Sequence, residues 1–168
     1  LLKLLIFINV FVLASIFSIS DVDALSYNLK MEFEVNLMES NTAGVTQKVE
    51  ITNNSADFMS TSMSLDFPFP KVDSLKVMSE GNPLPASIEN GRLWIEFEDQ
   101  ALEFGEKKQI DISYQIPNFI KVYGDIRGML WPKFIVEDQE VIYPLKISYP
   151  ISWDDVYYSS EGVDMNVV

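Results

Sequence analysis

The side chains that perform most enzyme chemistry are missing from this chain, which contains neither cysteine nor histidine. Their absence removes thiolate nucleophiles, imidazole bases, disulfides, lipid attachment at cysteine and thiolate zinc sites. A serine nucleophile needs a partner base, and no motif pairs a serine with a lysine. A carboxylate pair of the glycosidase kind could be drawn from Glu96, Glu98, Asp99 and Glu103. Glu96 and Glu98 are two positions apart, so on a strand they share the face opposite Ile95 and Phe97, the ordinary make-up of a solvated face. Oxygen donors for calcium are present as Glu137, Asp138 and Glu140, and again as Asp154 and Asp155, but no Asp-x-Asp-x-Asp-Gly loop gathers them. The expectation is a chain without catalytic residues, cofactor or metal of its own.

What remains is binding through aromatic side chains. Trp131, Trp153, Tyr157 and Tyr158 are amphipathic and suit either sugar stacking or packing. Residues 117–140 lack the alternation that governs their surroundings, yet hold Phe119, Tyr123, Gly124, Gly128, Trp131, Pro132 and Phe134. A connection of this length without regular structure is unusual in a compact domain. Tyr123, Trp131, Phe134 and Trp153 are therefore the candidate interface, facing a protein partner or a neighbouring domain of the same polypeptide. A carbohydrate ligand is the lesser alternative. The competing structural account is one more irregular strand whose aromatics cover the core.

Charge narrows the partners further. Twenty-five acidic residues against 12 basic ones give −13, a field that repels phosphate backbones and anionic head groups. Lys107-Lys108 is the one adjacent basic pair. Nucleic acid is excluded as a partner on this ground.

The elements that must position any site begin with an apolar leader. Lys3, the apolar residues 4–17 and Val22-Asp23-Ala24 have the order of a secretory signal: a positive start, a short apolar stretch and small residues before the cut. Cleavage after Ala24 is expected, with an uncleaved membrane anchor as the alternative; Asn9 interrupts the stretch, which is short for a span of ~20 residues. Both place the remainder outside the cytoplasm, secreted or associated with the cell envelope. The expected division is residues 1–24 as signal, 25–162 as one β-sandwich domain, and 163–168 as the start of a linker or truncated continuation.

From Tyr27 to Leu37 apolar residues fall on every second position, opposed by Asn28, Lys30, Glu32, Glu34 and Asn36. This predicts a strand with one wet face. Further alternating runs follow at Val45, Val49 and Ile51; at Met59, Met63, Leu65 and Phe67; at Leu75 and Val77; around Ile88; at Leu93, Ile95 and Phe97; at Ile110 to Ile116; and between Val141 and Tyr149. Turns are expected at residues 40–44, at Asn53-Asn54-Ser55, at residues 80–83, at Asn90-Gly91 and at Gly105. Asn90-Gly91 predicts a two-residue hairpin with positive φ at both positions. Asn53 also opens an Asn-x-Ser sequon. About eight strands separated by turns predict an all-β fold, an antiparallel immunoglobulin-like sandwich. Leu29, Met31, Phe33, Val35, Ile51, Leu65, Ile95, Phe97, Ile112 and Ile147 are the expected core.

Three stretches carry a family resemblance. They are Gly44-Val45-Thr46-Gln47-Lys48-Val49-Glu50-Ile51-Thr52-Asn53, Gly105-Glu106-Lys107-Lys108-Gln109-Ile110-Asp111-Ile112-Ser113-Tyr114, and Tyr143-Pro144-Leu145-Lys146-Ile147-Ser148-Tyr149-Pro150. In this order, after a signal peptide, they resemble the N-terminal β-sandwich region of secreted bacterial transglutaminase-like proteins. In that family the Cys-His-Asp machinery belongs to a separate domain. The resemblance thus implies a non-catalytic companion module, either a binding or scaffolding unit or the accessory domain of a larger enzyme.

Overall fold

The alternation over residues 27–37 becomes the first strand, β1 (Tyr27–Leu37), whose odd residues from Met31 onward are buried while the even ones face solvent. In the computed structural model the described residues are 27–54, 56, 61–97, 101–124, 126–132, 135–136, 139–140, 143–150, 152–153 and 165–167. The expected signal segment 1–24 lies outside them, as do Phe134, Asp138, Asp154 and Asp155. The chain continues through β2 (Ala43–Asn53), β3 (Ser62–Asp66), β4 (Asp73–Ser79), β5 (Asn82–Pro83), β6 (Ala86–Glu89) and β7 (Arg92–Glu96). It then forms β8 (Lys107–Ile116), β9 (Lys121–Tyr123), β10 (Ile126–Gly128), β11 (Ile135–Val136), β12 (Gln139–Glu140), β13 (Leu145–Ser148) and β14 (Met165–Val167). No helix occurs among the described residues, so none there is long and apolar enough to cross a membrane.

The large sheet has the order β14-β13-β1-β2-β8-β4-β5, and a small sheet runs β3-β7-β6. Each sheet is apolar on one face, and burying those two faces against each other gives a β-sandwich. Phe67, just past β3, stands edge-on to Tyr114 of β8 at 5.1 Å between ring centroids. From the same side Lys108 places its ammonium 5.6 Å from the ring centre of Phe97. Phe33, Val35, Ile51, Leu65, Ile95, Phe97, Ile112, Ile147 and Met31 are all buried as expected. Leu29 is only partly buried, packing at the margin near the start of β1.

Turn chemistry sets the registers. Between β1 and β2, Asn41 takes φ 61° and donates its backbone N–H to Met38 at 3.0 Å; asparagine tolerates this left-handed conformation. Asn90 and Gly91 have φ 52° and 75°, and Glu89 pairs with Arg92 across them, the two-residue hairpin expected. Glu80 and Gly81 repeat the device between Ser79 and Asn82, so the turn there is two residues long, with Asn82 and Pro83 already in β5.

One expectation needs correction. The large sheet is mixed rather than antiparallel: β13 runs parallel to β1, with Phe33 opposite Leu145, and β14 runs parallel to β13. Parallel neighbours cannot be joined by a tight turn, so the chain must travel back along the sheet before β13 begins. Between β8 and β13 the described strands β9 to β12 are only two or three residues long, too short to carry a strand period. β2 ends at Asn53, as the sequence leads one to expect, and Asn53 is fully buried; Ser55 lies outside the described residues.

Candidate functional site

The return segment begins at the β1–β2 turn end of the sandwich. Asn118 has φ 53°, and the Ile120 amide donates to the Asn41 carbonyl at 3.2 Å, which pins the segment to the β1–β2 turn. β9 and β10 then form a short hairpin, with Val122 opposite Arg127 and Tyr123 opposite Ile126. Gly124 opens its tip with φ 62°. Cross-strand partners share a face, so Val122 and Arg127 lie on one side of the hairpin and Tyr123 on the other. The Arg127 guanidinium sits 5.1 Å from the ring centre of Trp153, within cation–π range. Trp153 is held by its amide to the Pro150 carbonyl at 3.0 Å, and Ser152 donates its hydroxyl to Glu39 at 2.7 Å.

Trp131 behaves differently. Its ring lies 5.4 Å from Phe33, 5.7 Å from Phe69 and 6.0 Å from Phe119, a packed aromatic cluster over the core. The Tyr143 hydroxyl donates to the Pro132 carbonyl at 2.8 Å and ties down the next residue. Such offset and edge-on contacts each add ~0.5–1.5 kcal/mol beyond burial. Of the four residues expected to form an interface, Tyr123 is exposed (70%), Trp131 is a half-buried lid on the core, and Trp153 is half-buried beneath Arg127. The structural account of the segment, aromatics covering the core, therefore holds for Trp131 and Phe119.

Besides Tyr123, five large apolar residues among the described ones are exposed: Ile88, Trp94, Phe104, Val122 and Leu130. Val122 and Leu130 (90% exposed) stand in the same segment as Tyr123, where no periodicity marks a wet or dry side. Trp94 was legible: it occupies the wet position between the buried Leu93 and Ile95, and it is 43% exposed. Ser64 and Ser87 flank it across the sheet, and Arg92 sits 5.8 Å from its ring centre.

Of the four carboxylates considered as an acid–base pair, Glu98 and Asp99 lie outside the described residues. Glu96 faces outward on β7 opposite Ser62, while Glu106 turns back to accept the Glu103 amide at 2.9 Å. That bond closes a turn and sets up no acid–base pair. Among the described residues no group of acidic side chains is placed to hold a metal ion.

No family model and no curated protein matches the chain. Among solved structures it is similar to a mutant two-domain M1 zinc metallopeptidase bound to L-tryptophan, with TM-score 0.45 and 10% identity over 54% of this chain and 20% of that one. It is also similar to a mutant M1 zinc metallopeptidase from Deinococcus radiodurans bound to a tripeptide substrate, with TM-score 0.45 and 9% identity over 60% of this chain and 22% of that one. The chain thus spans about a fifth of the length of those structures, and likenesses of this extent assign it neither a family nor a chemistry.

Proposed function

We propose that the chain is a non-catalytic, immunoglobulin-like β-sandwich module that works outside the cytoplasmic membrane, binding, spacing or scaffolding at the cell envelope. Its contact surface is the β9–β10 end of the sandwich, and its partner is a protein or a neighbouring domain. The observation that carries this reading is the exposure of Val122, Tyr123 and Leu130 within one short segment anchored on Trp131. Large apolar side chains left in water on a rigid support are typical of interface cores. The apolar leader ending at Ala24 supports export.

A second reading, the accessory domain of a larger secreted transglutaminase-like enzyme, is favoured by where the resembling stretches fall. Residues 44–53 and 105–114 lie largely on the adjacent strands β2 and β8, and residues 143–150 contain β13 of the same sheet.

Photo-crosslinking in the native host tests the contact surface. A photoreactive residue at position 123 or 130 should give a discrete adduct or a discrete intramolecular link, while one replacing Lys48 on the outer sheet face should not. Absence of adducts from both positions, or the same adducts from all three, would defeat the reading. Sequencing the N-terminus of exported material should find Leu25 first; an intact leader on cytoplasmic protein would remove the export half.

A further inference from the structure

Residues 112–136 invert the charge of the chain around them. Their charged residues are Lys121, Asp125, Arg127 and Lys133, three cations to one carboxylate, where the whole chain has 25 acidic residues and 12 basic ones. Lys121 and Arg127 are both exposed on the β9–β10 hairpin, while Asp125 and Lys133 lie outside the described residues. Register distributes the exposed side chains. Val122 opposes Arg127, so these two share one face of the hairpin. Tyr123 shares the other face with Lys121, two positions back on the same strand. Each face therefore sets an exposed apolar side chain beside a cation.

These two cations are held differently from those on the sheets. Lys30, Arg92, Lys107 and Lys146 each meet a carboxylate. Lys48 makes no ion pair among the described residues, but its cross-strand neighbours are Glu32 and Asp111. Lys121 instead donates to the Asn118 carbonyl at 3.3 Å, and Arg127 lies over the Trp153 ring at 5.1 Å. A backbone carbonyl and an indole face orient a cation without cancelling its charge. Both side chains also keep donors to spare, since ammonium has three and guanidinium five. The hairpin thus presents oriented positive charge beside Val122, Tyr123 and the nearby Leu130, all of them exposed.

We propose that the partner covering this hairpin is an acidic protein patch, with carboxylates flanking an apolar pocket for Tyr123 and Leu130. The inference rests on the contact surface proposed above and names the chemistry of what meets it. Charge complementarity carries it. Complementary potentials steer two surfaces together and fix their register, while like charges opposed across an interface are costly. An acidic partner is repelled by the rest of this chain and accepted at the hairpin, so the inversion also sets the orientation of docking. Screening keeps the effect local, because charges beyond ~8 Å count for little at physiological salt. Tyrosine and arginine are the residue types enriched in interface cores. A lipid surface fits less well. An anionic bilayer is a broad plane that would also face neighbouring acids such as Glu39, held by Ser152 at this same end of the sandwich. A protein patch can meet the hairpin alone.

The test uses the full exported protein in its native host, with an aromatic photoreactive residue at position 123 as the probe. Adduct yield is measured, and the linked peptide, from another protein or from a neighbouring domain, is read by mass spectrometry. Lys121→Glu combined with Arg127→Glu should lower the yield at least about tenfold, whereas Lys121→Arg with Arg127→Lys should keep it within about twofold. Lys48→Glu, on the outer sheet face, should leave it unchanged. The linked peptide should carry more Asp and Glu than Lys and Arg. An adduct that survives the double reversal, falls equally with Lys48→Glu, maps to a basic peptide or has the mass of a phospholipid would overturn the acidic protein partner and leave the contact surface standing. No adduct with both cations intact would remove the contact surface and this inference together. If Arg127→Glu unfolds the chain by losing its stack on Trp153, Lys121→Glu alone carries the same test with a smaller, several-fold loss.

Discussion

Asn53 donates a 2.9 Å hydrogen bond from its carboxamide to the Leu102 carbonyl while wholly buried at the end of β2. Its backbone is engaged on both sides as well: its amide donates to the Glu106 carbonyl at 3.2 Å, and its carbonyl accepts from Gly105 at 2.7 Å. One residue thus clamps the loop that feeds β8. Asn53→Ala leaves the Leu102 carbonyl unsatisfied and should cost ~1–3 kcal/mol in a urea titration. Asn53→Asp should be at least as damaging, because an ionised carboxylate cannot donate. The folded state leaves no room for a glycan on the Asn53 carboxamide.

Trp131 and Tyr123 were alike as candidates in the sequence, and the structure separates them. Trp131→Ala removes a ring packed on Phe33, Phe69 and Phe119 and should destabilise by ~2–4 kcal/mol, somewhat less than for a fully buried aromatic. Tyr123→Ser should change stability by less than ~0.5 kcal/mol, since its side chain stands mostly in water. Chemical denaturation of the two variants checks this. Equal effects would mean that the segment packs otherwise.

How much of this was legible depended on what alternation can report. The runs around β1, β2, β7 and β8 were plain because one sheet face is apolar and the other wet, and that contrast is what the period records. The same contrast predicts that Phe33→Ala costs ~3–5 kcal/mol by lost burial and a cavity, while Glu34→Ala, with an exposed ion pair to Lys146, costs less than ~0.5 kcal/mol. Denaturant midpoints of the two neighbours measure the register directly. Inward polar residues were invisible: Gln47, Asn53 and Lys108 occupy core-facing positions that a count of hydrophobic residues scores as breaks. Strand direction was invisible too, since β13 has the same alternation whether it runs parallel or antiparallel to β1.

Tyr114 gives the fold a sensitivity at alkaline pH. Its phenol is buried on β8 between Phe67 and Phe69, at 5.1 and 5.7 Å, and its hydroxyl makes no hydrogen bond among the described residues. Burial pushes its pKa far above the ordinary value of 10.0, and the neighbouring Tyr143 adds to the rise. The folded state therefore favours the neutral phenol. Its contribution to stability is fully present below the unfolded pKa of ~10 and is lost as pH rises from there towards the folded value. Tyr114→Phe keeps the ring and removes the unsatisfied hydroxyl. It should stabilise the protein by ~1 kcal/mol at neutral pH and flatten the fall in stability above pH ~10. Spectrophotometric titration supplies the second readout. Folded wild type and variant should ionise the same number of tyrosines, whereas the unfolded wild type should ionise one more. A wild type that ionises its extra tyrosine while still folded would show that the Tyr114 hydroxyl reaches water.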